Sequence, residues 1–412
     1  MTRRALLSSL AGAAAGQARA AGWDIEVRQL TFGPMHHFFG YIGHVGNIPW
    51  NGDGRYIVGL RTRFQDHMPR PEDAADVVLV DTSDTNRISA VDRTRAWNFQ
   101  QGTMFYWNPE SPDTQLFFND RDPKTNQVFT VLFDIARNRR IREYRYPDTP
   151  FGNSGVAQNG GYFLGLNYGR LARLRPVTGY PGAYDWTGDT AAPDNDGIFR
   201  AETGSGKQRL LVSCRRLAEL IKPRRPEIES RRLFINHTLG NRDGTRIYFY
   251  VRADFDDRQR RIDIPCTVHP DGTGLTMHPL HIGGHPEWEN GSRIIGSHGR
   301  RLVLYDVDRQ EIAGHIGSPE IFPEPGGDTA LSPDGNWVVN GYRQGHSNYY
   351  SVFRRSDGTW RRSRASTHPG FTSGDLRVDG SPCWNRTNDR ILFPSIAEDG
   401  TRQMFLLRIL FR

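Results

Sequence analysis

Residues 51–60 read "NGDGRYIVGL", a turn rich in Asn, Asp and Gly followed by a short apolar run. Asn, Asp and Gly supply the turn backbone, while Tyr, Ile and Val favour an extended strand. The same pattern returns in "SPDTQLFFND" (111–120), "AQNGGYFLGL" (157–166), "NRDGTRIYFY" (241–250), "WENGSRIIGS" (288–297), "SPDGNWVVNG" (332–341) and "NRTNDRILFP" (385–394). Aligned on Ile57, Leu116, Phe163, Ile247, Ile294, Val338 and Ile391, most copies stand 44 to 59 residues apart. The single gap of 84 residues holds an insertion, "RPVTGYPGAYDWTGDTAAPDNDG" (175–197). This spacing fits a four-stranded propeller blade.

Several copies are followed by a further strand, as in "DVVLVDT", "FTVLFDI", "RLVLYDV" and "QMFLLRI". The sequence therefore predicts an all-β chain: one seven-bladed β-propeller of antiparallel four-stranded blades over residues 21–412. The segment "DIEVRQL" (24–30) is expected to close the ring against the last blade and remove the open sheet edges. A pair of β-sandwiches is the competing architecture, and the even recurrence argues against it. The one helix-like stretch is "SCRRLAELI" (213–221).

Of 53 basic residues only Lys124, Lys207 and Lys222 are lysines, and the formal charge is +7. Clustered arginines suit bidentate capture of carboxylate, sulfate or phosphate. "KPRRPEIESRR" and "DDRQRR" are interrupted by acids, so no nucleic-acid tail is expected. Residues 1–20 carry paired arginines at Arg3 and Arg4, a short apolar run and Ala18-Arg19-Ala20. This pattern predicts a twin-arginine export signal cleaved near Ala20, with an ordinary secretory signal as the alternative, and a periplasmic or secreted protein. No later run of 18 apolar residues exists, so no membrane span is expected. Cys214, Cys266 and Cys383 form no CxxC pair, and buried free thiols are their commoner use. P-loop, GxSxG and HExxH motifs are absent.

In a propeller, the loops entering the innermost strands share one face with the loops joining second and third strands. The entry loops supply His36 and His37, Gln100 and Gln101, Asn153, Ser154, Asn236, His237, His285, Asp328, Arg377 and Asp379. The other loops supply Arg121, Tyr168, Arg170, Arg173, Arg175, Arg252 and Arg343. An arginine-rich face around histidines suits an anionic ligand, and a uronic-acid oligosaccharide is the expected partner. Gln101, Arg121, Arg252, Arg343 and Asp328 are the expected substrate-binding groups. Tyr168, Tyr180, Tyr184 and Trp186 are candidates to stack on sugar rings.

The blade entries resemble those of the oligogalacturonate lyase family, whose propellers cleave pectic uronides by β-elimination. The resemblance rests on "HHFFGY" (36–41), "INHTLGNRDG" (235–244), "GGHPEWENG" (283–291) and the closing "SPCWNRTNDRILFPSIAEDGTRQMFLL" (381–407). It implies a Mn²⁺ held by His285 and by a Gln-x-x-His-x-His set in the last blade. Here that set reads "LRVDGS", with Leu376, Asp379 and Ser381 in place, so His285 and Asp379 are the implied metal ligands. For β-elimination, Arg170 or Arg173 is expected to neutralise the uronate carboxylate. His37, His237, His285 and Tyr168 are the candidate acids and bases. Of the first histidines, His37 is expected to face the channel, His36 the packing, and His44 neither. A non-catalytic propeller that binds a glycan or a partner protein is the alternative, and a two-carboxylate hydrolase ranks last.

Overall fold

The computed structural model describes residues 22–40 and 47–412. The expected export signal at 1–20, Tyr41 and His44 lie outside them.

Among the described residues, strand-forming sequence produces five four-stranded antiparallel sheets and one of nine strands. The first sheet holds His36–Phe38, Tyr56–Thr62, Ala75–Asp81 and Arg87–Thr94. The second runs through Tyr106–Trp107, Gln115–Arg121, Val128–Asp134 and Arg139–Tyr144. Gly152–Val156, Tyr162–Leu166, Gly197–Glu202 and Gln208–Ser213 form the third. Phe234–Gly240, Ile247–Ala253, Ile262–Val268 and Thr276–Met277 form the fourth. The nine-stranded sheet consists of two antiparallel meanders. One spans Gly283–Trp288 to Glu311–His315, the other Asp328–Leu331 to Trp360–Arg362 with the short strand Ser366–Thr367 beside it. A single parallel bridge, His285 to Asp328, joins them.

The last sheet takes Cys383–Trp384, Arg390–Ile396 and Arg402–Phe411 from the C-terminus and Trp23–Gln29 from the N-terminus. Trp23 pairs with Phe411 and Gln29 with Phe405, so the terminal strand closes the propeller as the sequence predicts. Trp23 is fully buried, edge-on to Trp337 at 4.8 Å.

The repeated turns work through their side chains. Asn51 Oδ1 accepts the Tyr56 N–H, Asn241 Oδ1 accepts those of Thr245 and Arg246, and Asn385 Oδ1 those of Asp389 and Arg390. Each amide satisfies the backbone where the chain turns into its second strand. Innermost-strand tryptophans fasten neighbouring sheets. Trp107 Nε1 donates to Pro49 O, Trp288 Nε1 to Leu239 O and Trp384 Nε1 to Ala330 O, at 2.8, 2.8 and 3.1 Å.

The expected helix forms as Cys214–Ile221, capped by Ser213. A second helix, Tyr168–Leu174, stands where the sequence reading places a loop, and Asn167 caps it. All three cysteines are buried and free.

Candidate functional site

The polar residues of one propeller face surround an open cavity of about 560 Å³. Its walls include Gln100, Arg175, Asn236, His237, Arg252, His285, Asp328, Arg343, Arg377 and Asp379. Six of these belong to the expected set of site residues: His237, His285, Arg252, Arg343, Asp328 and Asp379.

The centre of the site is made by glycine. In "GGHP" and "GGDT" the two innermost strands approach so closely that a Cβ on Gly284 would sit 2.7 Å from Gly327 O. A Cβ on Gly327 would sit 2.3 Å from Gly341 O. That approach lets His285 Nδ1 hydrogen-bond the Asp328 carboxylate across the bridge. The second Asp328 oxygen accepts the Ser381 N–H at 2.7 Å. Burial alone would raise the Asp328 carboxyl, but the charge of His285 and the bonds from His285 and Ser381 hold it below its ordinary value.

His237 arrives by a different device. The pairing of Phe234–Gly240 with its neighbour slips between Asn236 and Leu239, and His237 adopts φ 57°. Such left-handed backbone is costly for a non-glycine residue and concentrates at functional sites. The bulge sets the His237 ring 4.9 Å from that of His285. Ser381, which holds Asp328, also has positive φ, at 43°.

Arginines and their acceptors form the remaining walls. Arg252 Nε donates to Asp263 Oδ1 at 2.8 Å, and Asp263 lies 3.9 Å from His281 Nε2. Burial lowers the His281 pKa against the opposing pull of Asp263. Arg377 Nε and Gln100 Nε2 each donate to one oxygen of Asp379, both at 2.9 Å. Arg343 donates to Asn348 Oδ1, Thr372 O and Val378 O.

The other expected residues lie elsewhere. His37 is 3 % exposed, and its Nδ1 lies 2.9 Å from Gln403 Oε1, which ties the first sheet to the closing strand. Burial lowers its pKa against the opposing hydrogen bond to Gln403. His36 does the same work, accepting the Arg402 N–H. Tyr168 is buried, donates to Asn153 O at 2.9 Å and stacks on Tyr180 at 4.2 Å, so neither ring meets a sugar. Tyr184 and Trp186 are not among the cavity walls.

Arg170 is 2 % exposed and bonds Leu233 O, Thr187 Oγ1, Thr190 O and Ala191 O. Arg173 bonds Asp185, Gly188 O and Asp189. Both fasten the insertion to the propeller instead of facing the cavity. The cation that reaches the cavity from this region is Arg175. Buried Arg121 bonds Pro71 O and Asn126 Oδ1. Gln101 is buried with its N–H on Asn98 Oδ1, and its neighbour Gln100 lines the cavity instead.

Sequence reasoning missed Arg261, Asp263, His281 and Glu324, which also line the cavity. The spacing of His281 four residues before His285 was a usable signal, as was "DDRQRR" (256–261), from which the sequence reading took Arg258 for this face where Arg261 lines the cavity.

The residues do not fit a manganese centre. Among the described residues no three His, Cys, Asp or Glu side chains are grouped to hold a metal. Of the implied ligands, His285 gives Nδ1 to Asp328, and Asp379 gives both oxygens to Arg377 and Gln100. A guanidinium beside Asp379 repels a divalent cation.

No family model matches the chain, and no curated protein matches it. Among solved structures it is similar to an oligogalacturonate lyase in complex with manganese, at 14 % identity and TM-score 0.62. That match covers 94 % of this chain and 96 % of the lyase. The β-propeller domain of Cps50 (Swd1) from Myceliophteria thermophila matches at 10 % identity and TM-score 0.47, over 90 % of this chain and 98 % of that domain. The β-propeller domain of the Trilobed protease from Pyrococcus furiosus matches at 11 % identity and TM-score 0.46, over 87 % of this chain and 95 % of that domain. At these identities the likeness is one of fold: the chain is a β-propeller resembling oligogalacturonate lyase.

Proposed function

We propose that this chain is an exported seven-bladed propeller that cleaves an acidic, uronic-acid-containing oligosaccharide by β-elimination. The seventh blade comes from reading the two meanders of the nine-stranded sheet as separate blades, because their strand pairing extends over the single residue pair His285 and Asp328. The observation that carries the function is the His237–His285–Asp328 group in an arginine-lined cavity.

Asp328 on Nδ1 fixes the His285 tautomer whose basic nitrogen is Nε2. His285 then takes the C5 proton of the uronate. The electron pair of that C–H bond forms the C4–C5 double bond as the C4–O bond breaks. His237 donates a proton to the leaving oxygen. Arg343 and Arg377 neutralise the C6 carboxylate, which acidifies the C5 proton. Chelators are expected to leave this chemistry intact, since arginine replaces the cation.

The test is incubation with oligogalacturonates and glucuronic-acid glycans, reading the absorbance of unsaturated uronate with and without chelator. His285→Ala should lower the rate on the order of 100-fold or more. Unsaturated product formed equally fast by that variant would sink the assignment. A non-catalytic glycan-binding propeller is the second reading, favoured by the acceptors already held by Arg343 and Arg377. It predicts binding of the same glycans by the wild type with no unsaturated product.

A further inference from the structure

One wall of the cavity carries a cluster apart from the histidine pair. Phe255 follows the strand Ile247–Ala253, and three guanidinium carbons surround its ring. Arg175 and Arg252 lie 4.6 Å from the ring centroid and Arg261 lies 4.3 Å from it. All four residues line the cavity. They come from three stretches of chain: the start of the insertion, the strand itself and the loop before Ile262–Val268.

Three like charges around one ring repel each other, and stacking on the aromatic face compensates only in part. The neighbouring acids leave a surplus of positive charge. Asp263 pairs with Arg252 and the exposed Asp256 pairs with Arg175, whereas Arg261 Nε donates to a backbone oxygen, Phe255 O, at 2.6 Å. A guanidinium stacked by its face keeps its donor edges for hydrogen bonds, the geometry that captures an oxyanion.

The place of the cluster in the ring gives it a purpose. Arg175 belongs to the insertion within the third sheet, and Arg252 and Arg261 to the fourth sheet. Arg343 and Arg377 belong to the Trp337–Gln344 strand and the approach to the closing sheet. His285 stands between these two groups in ring order. We infer that the Phe255 cluster is a second oxyanion subsite. The ligand is then an oligosaccharide with anionic groups on at least two sugars, one held on each side of the histidines. The inference rests on the anionic-glycan reading above and deepens it. Carboxylate and sulfate ester share the chemistry that this cluster recognises.

Titration calorimetry tests it with three probes: digalacturonate, a uronate disaccharide bearing one sulfate ester, and sodium sulfate. Arg261 is exposed, so Arg261→Gln should fold, and Arg261→Lys keeps the charge without the fork. Arg261→Gln should weaken disaccharide binding by about tenfold or more, with Arg261→Lys between it and the wild type. A larger loss for the sulfated disaccharide identifies a sulfate ester as the preferred group. An equal or larger loss for digalacturonate identifies a carboxylate. If sulfate binding depends on Arg261 while no disaccharide binds, the oxyanion subsite stands and the glycan reading falls. The subsite is overturned if no probe distinguishes Arg261→Gln from the wild type, including the case in which none binds.

Discussion

Asp328 shows how a single buried carboxylate organises this site. It accepts from His285 and from the Ser381 N–H, and its charge is held by both. Asp328→Asn keeps the shape but loses the charge that orients the imidazole. Turnover of the proposed uronide substrate should fall on the order of 100-fold or more, with KM changed far less. Asp196 gives a residue-scale test of stability. Burial pushes its carboxyl up to about 7, against hydrogen bonds from Asn167 and Gly197 that favour the charged form. The folded state then binds a proton that the unfolded chain releases near pH 4. Stability should therefore fall as pH rises from about 4 through about 7. Asp196→Asn should flatten that slope in denaturant titrations at pH 5 and pH 8; an unchanged slope would show that Asp196 titrates normally.

At the scale of elements, arginines and tryptophans decide what moves together. The helix Tyr168–Leu174 and the insertion behave as one piece because Arg170 and Arg173 bond both. Gly179 lies against that helix so closely that an added Cβ would fall 2.0 Å from Ala172 N. Gly179→Ala should destabilise the protein by about 1–3 kcal/mol and displace Arg175 from the cavity. Denaturant unfolding together with disaccharide affinity measures both effects. The tryptophan fastenings predict that Trp288→Ala costs about 3–5 kcal/mol, since a buried ring and its bond to Leu239 O are lost together. These elements were unevenly legible. Short local patterns announced the strands and Cys214–Ile221. The helix at Tyr168–Leu174 passed for a loop because its stability comes from the Asn167 cap and from buried Leu171, not from a long apolar stripe.

For the whole molecule the decisive contact joins the two ends of the chain. Trp23–Gln29 pairs along Phe405–Phe411, and His36, His37 and Thr31 bond the same closing strand. Removing residues 22–30 would expose that strand's edge and uncover Trp337. The truncated chain should unfold earlier in denaturant and self-associate in light scattering, where the full chain remains dispersed.

The sequence by itself determined the strand–turn units, their spacing, the insertion and the closing strand. Each of those features is written in consecutive residues, where turn chemistry and β-propensity act locally. It also brought His237, His285, Asp328, Asp379, Arg252 and Arg343 to one face, because position within a repeated blade fixes which end of the strand a residue occupies. Only the tertiary structure decided which side chains on that face meet the cavity. Gln100 and Gln101 are adjacent, yet one lines the void and the other packs inward. Arg170, Arg173 and Arg121 found carbonyls and carboxylates 5 to 63 residues away, and those partners hold them away from the cavity walls. A strand alternates its faces at every residue, and a long side chain binds whatever acceptor the fold brings within reach.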